Sequence, residues 1–218
     1  MRTILILLII AAGTVFSAPF SIDCRYQLEP TATYRAFAKS YAKQHYASDS
    51  FRLIRPEVIV MHATDSPTLE QTIAFFRNTM LTGRKEIEQG GSLNVGVHFI
   101  IDRDGTVYSF IPLNYMARHT IGFNHTAIGI ENVAVNNESL TTPQLESSAE
   151  LVTYLSTIIP SIKYLIGHHE YNDNMRAHYK LMQINDTAYT PYQKGDPGWT
   201  FMSALRTRVA QKGLMLLD

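Results

Sequence analysis

Residues 57–67 read Glu-Val-Ile-Val-Met-His-Ala-Thr-Asp-Ser-Pro. Val58, Ile59, Val60 and Met61 form an apolar run without a polar break, rich in β-branched residues. Such a run has no face to give to water, so it fits a strand in the middle of a sheet, covered on both sides. The run ends on His62, and Ser66-Pro67 supply a helix cap and a first helical position. Strand, polar loop and helix make half of an α/β unit, and in such sheets sites gather where strands end. His62 is therefore the first candidate for chemistry. The plain alternative is a buried histidine bonded to a backbone carbonyl.

The rest of the chain continues in α/β style. Residues 18–30 read as an extended lead-in. Tyr34, Phe37, Ala38 and Tyr41 share one face of a helix over residues 31–46. Leu69, Ile73, Phe76 and Met80 do the same over Pro67–Met80. Residues 82–94 are polar and glycine-containing, which predicts a mobile loop. Val97–Ile101 and Thr106–Ile111 flank Asp102-Arg103-Asp104-Gly105 as a hairpin. Ala127–Val133 reads as a strand with Glu131 set among apolar residues. Thr142-Pro143 opens a helix to about Ile159. A short strand, Lys163–Ile166, runs into Gly167-His168-His169-Glu170, and residues 171–193 show no clear period beyond one helical turn around 175–182. A tight turn, Lys194–Gly198, leads to a closing helix, Trp199–Lys212. No linker divides the chain. The fold class expected is α/β: a single domain with a mixed central β-sheet flanked by helices.

The first residues set the expected destination. Met1-Arg2, the apolar run Ile4–Ala12 and the exit Val15-Phe16-Ser17 form a secretory signal over residues 1–17. The run is short for a transmembrane span, the alternative being an uncleaved membrane anchor. This predicts an exported protein, periplasmic or secreted, a monomer without stable membrane insertion once the signal is removed. A formal net charge of +0 offers no electrostatic case for nucleic acid. Cys24 stands alone, so no intramolecular disulfide exists.

Two predicted strands end in histidine, at His62 and His168, and Asp196 sits in a Pro/Gly-locked turn. Two imidazoles and a carboxylate, with the fourth position left to water, make a catalytic zinc pattern. Such a site needs a base and a cation near the developing oxyanion. Glu131 in its apolar strand suits the first role and Lys194, two residues before Asp196, the second. Spacing alone does not establish this, because eight histidines make chance pairings easy. His169 and His178 are rival ligands. Glu170 reads as a carboxylate orienting a ligand histidine. His98, opening a strand, reads as structural or groove-lining, and His45 and His125 as surface residues.

In order along the chain stand Val58-Ile59-Val60-Met61-His62, the stretch from His98 to Tyr108, Ala117-Arg118-His119, Ile128-Gly129-Ile130-Glu131, Gly167-His168 and Lys194-Gly195-Asp196-Pro197-Gly198. Over roughly residues 55–205 this resembles the zinc-dependent N-acetylmuramoyl-L-alanine amidases of type 2, relatives of the peptidoglycan recognition proteins. The resemblance implies an amidase domain over 55–212, preceded by an N-terminal extension with a helix over 18–54. It implies one Zn2+ held by His62, His168 and Asp196, with Glu131 and Lys194 catalytic. It also implies hydrolysis of the amide between the lactyl group of N-acetylmuramic acid and L-alanine, in peptidoglycan or muropeptides. His119, and beside it Arg118 where the family has tryptophan, would contact substrate, as would His98. Ala63 stands where the family has a histidine or aromatic residue, and residues 168–194 are longer than in compact members. Two other readings stay open: a module that binds peptidoglycan without cutting it, and a zinc peptidase acting within the stem peptide.

Overall fold

The computed structural model describes residues 21–186 and 190–218; the expected signal, residues 1–17, lies outside them. Among the described residues the strands are β1 (Ile22–Asp23), β2 (Val58–Ala63), β3 (Phe99–Ile101), β4 (Val107–Ser109), β5 (Ala127–Asn132) and β6 (Tyr164–Gly167). They form one mixed sheet in the order β1-β4-β3-β5-β2-β6. β3 and β4 are the antiparallel hairpin, while the β1–β4, β3–β5, β5–β2 and β2–β6 pairs run parallel. The apolar run in β2 thus lies between two partners, and Val58 to Met61 are all fully buried.

Alternation along the strands divides the core. Val58, Val60, Ala127 and Ile166 face α1 (Ala32–Tyr46), which presents Tyr34, Ala38, Tyr41 and Ala42. Ile59, Met61, Ile128, Ile130 and Leu165 face α3 (Thr142–Ile158) and α4 (Trp199–Gln211), which answer with Leu151, Val152, Leu155, Met202 and Leu205. Each Val, Leu, Ile or Met among these taken out of water stabilises the fold by about 1.5–3 kcal/mol. Helix starts follow cap chemistry. Thr31 accepts from the Tyr34 N–H, and Thr141 and Gln144 cap each other's backbone at the start of α3. Gln144 also donates to the carbonyls of Ile101 and Val133, tying α3 to the ends of β3 and β5.

Several sequence expectations need correction. α2 spans only Leu69–Phe76, because Thr68 rather than Ser66 supplies the cap and Met80 leaves the helix to bridge Leu93. Residues 82–94 are not a free loop. Lys85–Gly90 winds as a 3-10 helix, and the carbonyls of Ile87, Gly91 and Leu93 accept from the Arg118 guanidinium. The lead-in contributes β1 as an edge strand beside β4. His45 is buried, its ring Nε2 2.8 Å from the Gly90 carbonyl, and His125 is half-buried against Tyr46. No helix of the described residues is long and apolar enough to cross a membrane.

Candidate metal centre

The parallel ladders bring the candidate residues to one end of the sheet. In register, His62 pairs with Glu131 across β2–β5, and Met61 with Gly167 across β2–β6. His168 follows Gly167, so the two histidines leave neighbouring strands at adjacent levels. Their Nδ1 atoms lie 3.0 Å apart. Asp196 approaches from the 194–198 turn, one carboxylate oxygen 3.5 Å from His62 Nδ1 and the other 3.2 Å from His168 Nδ1. The turn is held from several sides. Its Asp196 carbonyl accepts from the His169 N–H at 2.8 Å, Asn137 donates to the Gly195 carbonyl at 2.9 Å, and the Ala63 N–H donates to the Asp196 carboxylate at 3.3 Å.

These three groups fit a metal ion. A tetrahedral zinc ion with ligand bonds near 2.1 Å separates its ligand atoms by about 3.4 Å, and the observed spacings bracket that value. Two imidazole nitrogens and one carboxylate turned toward a common point make a donor set suited to a divalent cation. Among the described residues no other trio of histidine, cysteine or carboxylate side chains converges this way.

The electrostatics agree with the geometry. Burial, reinforced by His168, pushes His62 down to about 4, so it stays neutral and able to ligate. Burial alone would raise the Asp196 carboxyl, but His168 and His62 outweigh it and hold the group below the usual carboxylate range. Glu131 is shifted the other way. Burial and then the Asp196 carboxylate push it well above its ordinary value, against the pull of Lys194. Its Oε2 lies 4.0 Å from His62 Nδ1. A cavity of about 640 Å³ opens over this group, bordered by Glu131, Lys194, Phe75 and Phe76. Lys194 Nζ donates to the Tyr192 hydroxyl at 2.6 Å on the cavity wall.

The other expected residues divide. His119 borders the cavity but stands behind His62, its Nδ1 3.1 Å from His62 Nε2. Arg118 borders it too, yet its guanidinium is bonded to three loop carbonyls and lies 5.0 Å from the Tyr41 ring centroid. Its part is to hold the 82–94 segment, which forms a wall. His98 does not reach the groove: it is fully buried, pushed down to about 4 by burial, its Nδ1 accepting from the Gly129 N–H and its Nε2 3.0 Å from the Tyr115 carbonyl. Glu170 orients neither ligand. It accepts from the Gly167 N–H and pairs with Arg206 and Arg176. His178 is bonded to the Glu170 carbonyl, and His169 turns its ring edge to Trp199, so neither rival joins the trio. The contact between His119 and His62 had one sequence hint, Gly129. A glycine inside a strand marks a close approach, and a Cβ there would sit 2.7 Å from the His119 ring.

The family profile for N-acetylmuramoyl-L-alanine amidase matches residues 52–199. The endolysin of Escherichia phage T7 is 35% identical over 99 residues, which is 40% of this chain and 64% of that protein. The endolysin of Klebsiella phage KP32 is 43% identical over 56 residues, 24% of this chain and 37% of that one. The matches thus span less than two thirds of either curated relative. Among solved structures, the N-acetylmuramoyl-L-alanine amidase LysC from Clostridium intestinale URNW aligns with a TM-score of 0.40 and 28% identity, covering 56% of this chain and 75% of that one.

Proposed function

Because the chain belongs to the N-acetylmuramoyl-L-alanine amidase family, we propose that it is a zinc amidase that hydrolyses the bond between the lactyl carbonyl of N-acetylmuramic acid and L-alanine, in peptidoglycan or its fragments. The observation that carries this reading is one cavity bordered by a metal-fitting His62–His168–Asp196 trio, a buried carboxylate in ladder register with one of its histidines, and a lysine.

Zinc held by His62, His168 and Asp196 supplies Lewis-acid polarisation of the carbonyl and lowers the pKa of a water molecule toward neutrality. Glu131 takes a proton from the attacking water as its oxygen bonds to the lactyl carbon. A buried carboxylate with raised proton affinity is a stronger base than a solvated one. Glu131 then passes that proton to the alanine nitrogen as the C–N bond breaks, and the second water proton moves from the new carboxyl group to the amine, giving a free lactyl carboxylate and a peptide ammonium. Lys194 brings its ammonium from the cavity wall toward the carbonyl oxygen, where negative charge develops. Phe75 and Phe76 add apolar surface to the cavity wall.

The apolar run behind Arg2 within residues 1–17 supports export, which would place the enzyme where peptidoglycan is found. The deciding experiment is mass spectrometry of purified peptidoglycan treated with the mature protein, with and without a zinc chelator. Stem peptides beginning with L-alanine, lost on chelation and restored by zinc, are expected. Cuts within the stem peptide would make it a peptidase. Intact peptidoglycan and intact soluble muropeptides, with zinc bound, would make it a binding module.

A further inference from the structure

We propose that His119 is a positioning residue that fixes the tautomer and direction of His62, and that the N-terminal helix α1 in turn fixes His119. The inference rests on the zinc reading above and adds the group that aims one of its ligands.

The argument is one of donors and acceptors. His119 Nε2 lies 3.4 Å from the Ala127 carbonyl, which only accepts, so that nitrogen carries the proton. His119 Nδ1 is then unprotonated and accepts. It stands 3.1 Å from His62 Nε2, with the Thr120 hydroxyl 2.9 Å from it and able to serve as donor or acceptor. His62 therefore carries its proton on Nε2 and donates it to His119. Its Nδ1 is left with a lone pair directed at His168 and Asp196, the atom that would ligate the metal. Ligand histidines are commonly fixed through their second nitrogen by a carboxylate, carbonyl or water. Here the partner is another imidazole, itself anchored to a strand carbonyl.

The ring of His119 is held from below and behind. Gly129 leaves the space it occupies, since a Cβ there would lie 2.7 Å from His119 Cγ. Asn124 Oδ1 accepts from the main-chain N–H of both His119 and Thr120, at 2.9 and 2.7 Å. Asn124 Nδ2 donates to the Tyr41 hydroxyl at 2.9 Å, and the Asn124 N–H donates to the Tyr46 hydroxyl at 3.2 Å. Both tyrosines belong to α1, which lies outside the stretch 52–199 matched by the family profile. The chain of contacts runs from α1 through Asn124 and His119 to His62.

The test is zinc affinity of the full mature protein, read by competition with a chromophoric chelator. His119→Phe keeps the ring and removes the acceptor, and is expected to weaken zinc binding about 10- to 100-fold and shift the d–d bands of the Co2+-substituted protein. His119→Gln restores an acceptor oxygen and should recover much of the affinity; a role in packing alone would show no such rescue. A long-range 1H–15N spectrum of the wild-type zinc form needs no variant and should place the proton on Nε2 of both His62 and His119. Unchanged affinity and Co2+ bands in His119→Phe, or a proton on His119 Nδ1, would overturn the inference. A wild type that retains no zinc would instead sink the zinc reading.

Discussion

Strand β2 presents Val58, Val60 and His62 to one side of the sheet and Ile59, Met61 and Ala63 to the other, and the two sides are built on different terms. Toward α3 and α4 the contacts are mainly apolar, Ile128, Ile130 and Leu165 against Leu151, Leu155 and Leu205, with Gln144 and Ser148 as polar ties at the strand ends. Toward α1 the layer turns polar as it nears the strand ends, where His62, His98, His119, Glu131 and His168 are packed together. Apolar contact is non-directional and tolerates small shifts. Buried polar groups cost free energy unless each finds its partner, so the layer that satisfies them is also the layer that fixes atoms in place. One side holds the sheet together and the other aims it.

That division can be broken by substitutions ranked by their effect on activity. Asp196→Ala should have the largest. It removes a proposed ligand, so zinc should be lost on dialysis and amidase activity should fall to background. Glu131→Gln should keep zinc at full stoichiometry and lower kcat by about 10²- to 10⁴-fold, the usual worth of a general base.

The same variant has a stability signature in the metal-free protein. The Glu131 carboxyl binds its proton more tightly folded than unfolded. Stability is therefore lost as pH rises from the ordinary value of 4.5 toward the raised one. Glutamine has no proton to lose, so urea unfolding should show the variant gaining on wild type across that window. A constant difference across pH would mean Glu131 is not buried in its charged form.

Lys194→Met should lower kcat by about 10²- to 10³-fold, the cost of one oxyanion donor, with zinc affinity unchanged. Leu205→Ala, on the apolar side, should cost about 2–5 kcal/mol in chemical denaturation. It should leave kcat per folded molecule as it was. If Leu205→Ala lowered kcat as far as Lys194→Met, the two sides would not be separable.

Much of this was legible in the sequence because it is local. The buried strand at Val58–Met61, the hairpin around Gly105, and the helix opened near Thr142-Pro143 are each written within a few residues. His62, His168 and Asp196 were legible as candidates because strand ends and a rigid turn are where chemistry is placed. What escaped depends on partners far along the chain. Arg118 reads as a substrate contact until the carbonyls of Ile87, Gly91 and Leu93 surround it. His45 reads as surface until Gly90 covers it, and Glu170 as a ligand's helper until Arg206 and Arg176 claim it. His98 reads as structural or groove-lining, and only its enclosure by Gly129 and Tyr115 decides for the structural role. No periodicity records such pairings.

The pairing of His62 with Glu131 in the β2–β5 ladder makes the backbone a ruler. The span between the proposed base and the proposed ligand is set by the spacing of neighbouring strands, about 4.8 Å in any sheet, and not by side-chain packing. Substitutions in the surrounding core can loosen the protein without stretching that span. An insertion or deletion of one residue in either strand would turn the pair to opposite faces of the sheet. The site should therefore tolerate drift in composition far better than drift in length.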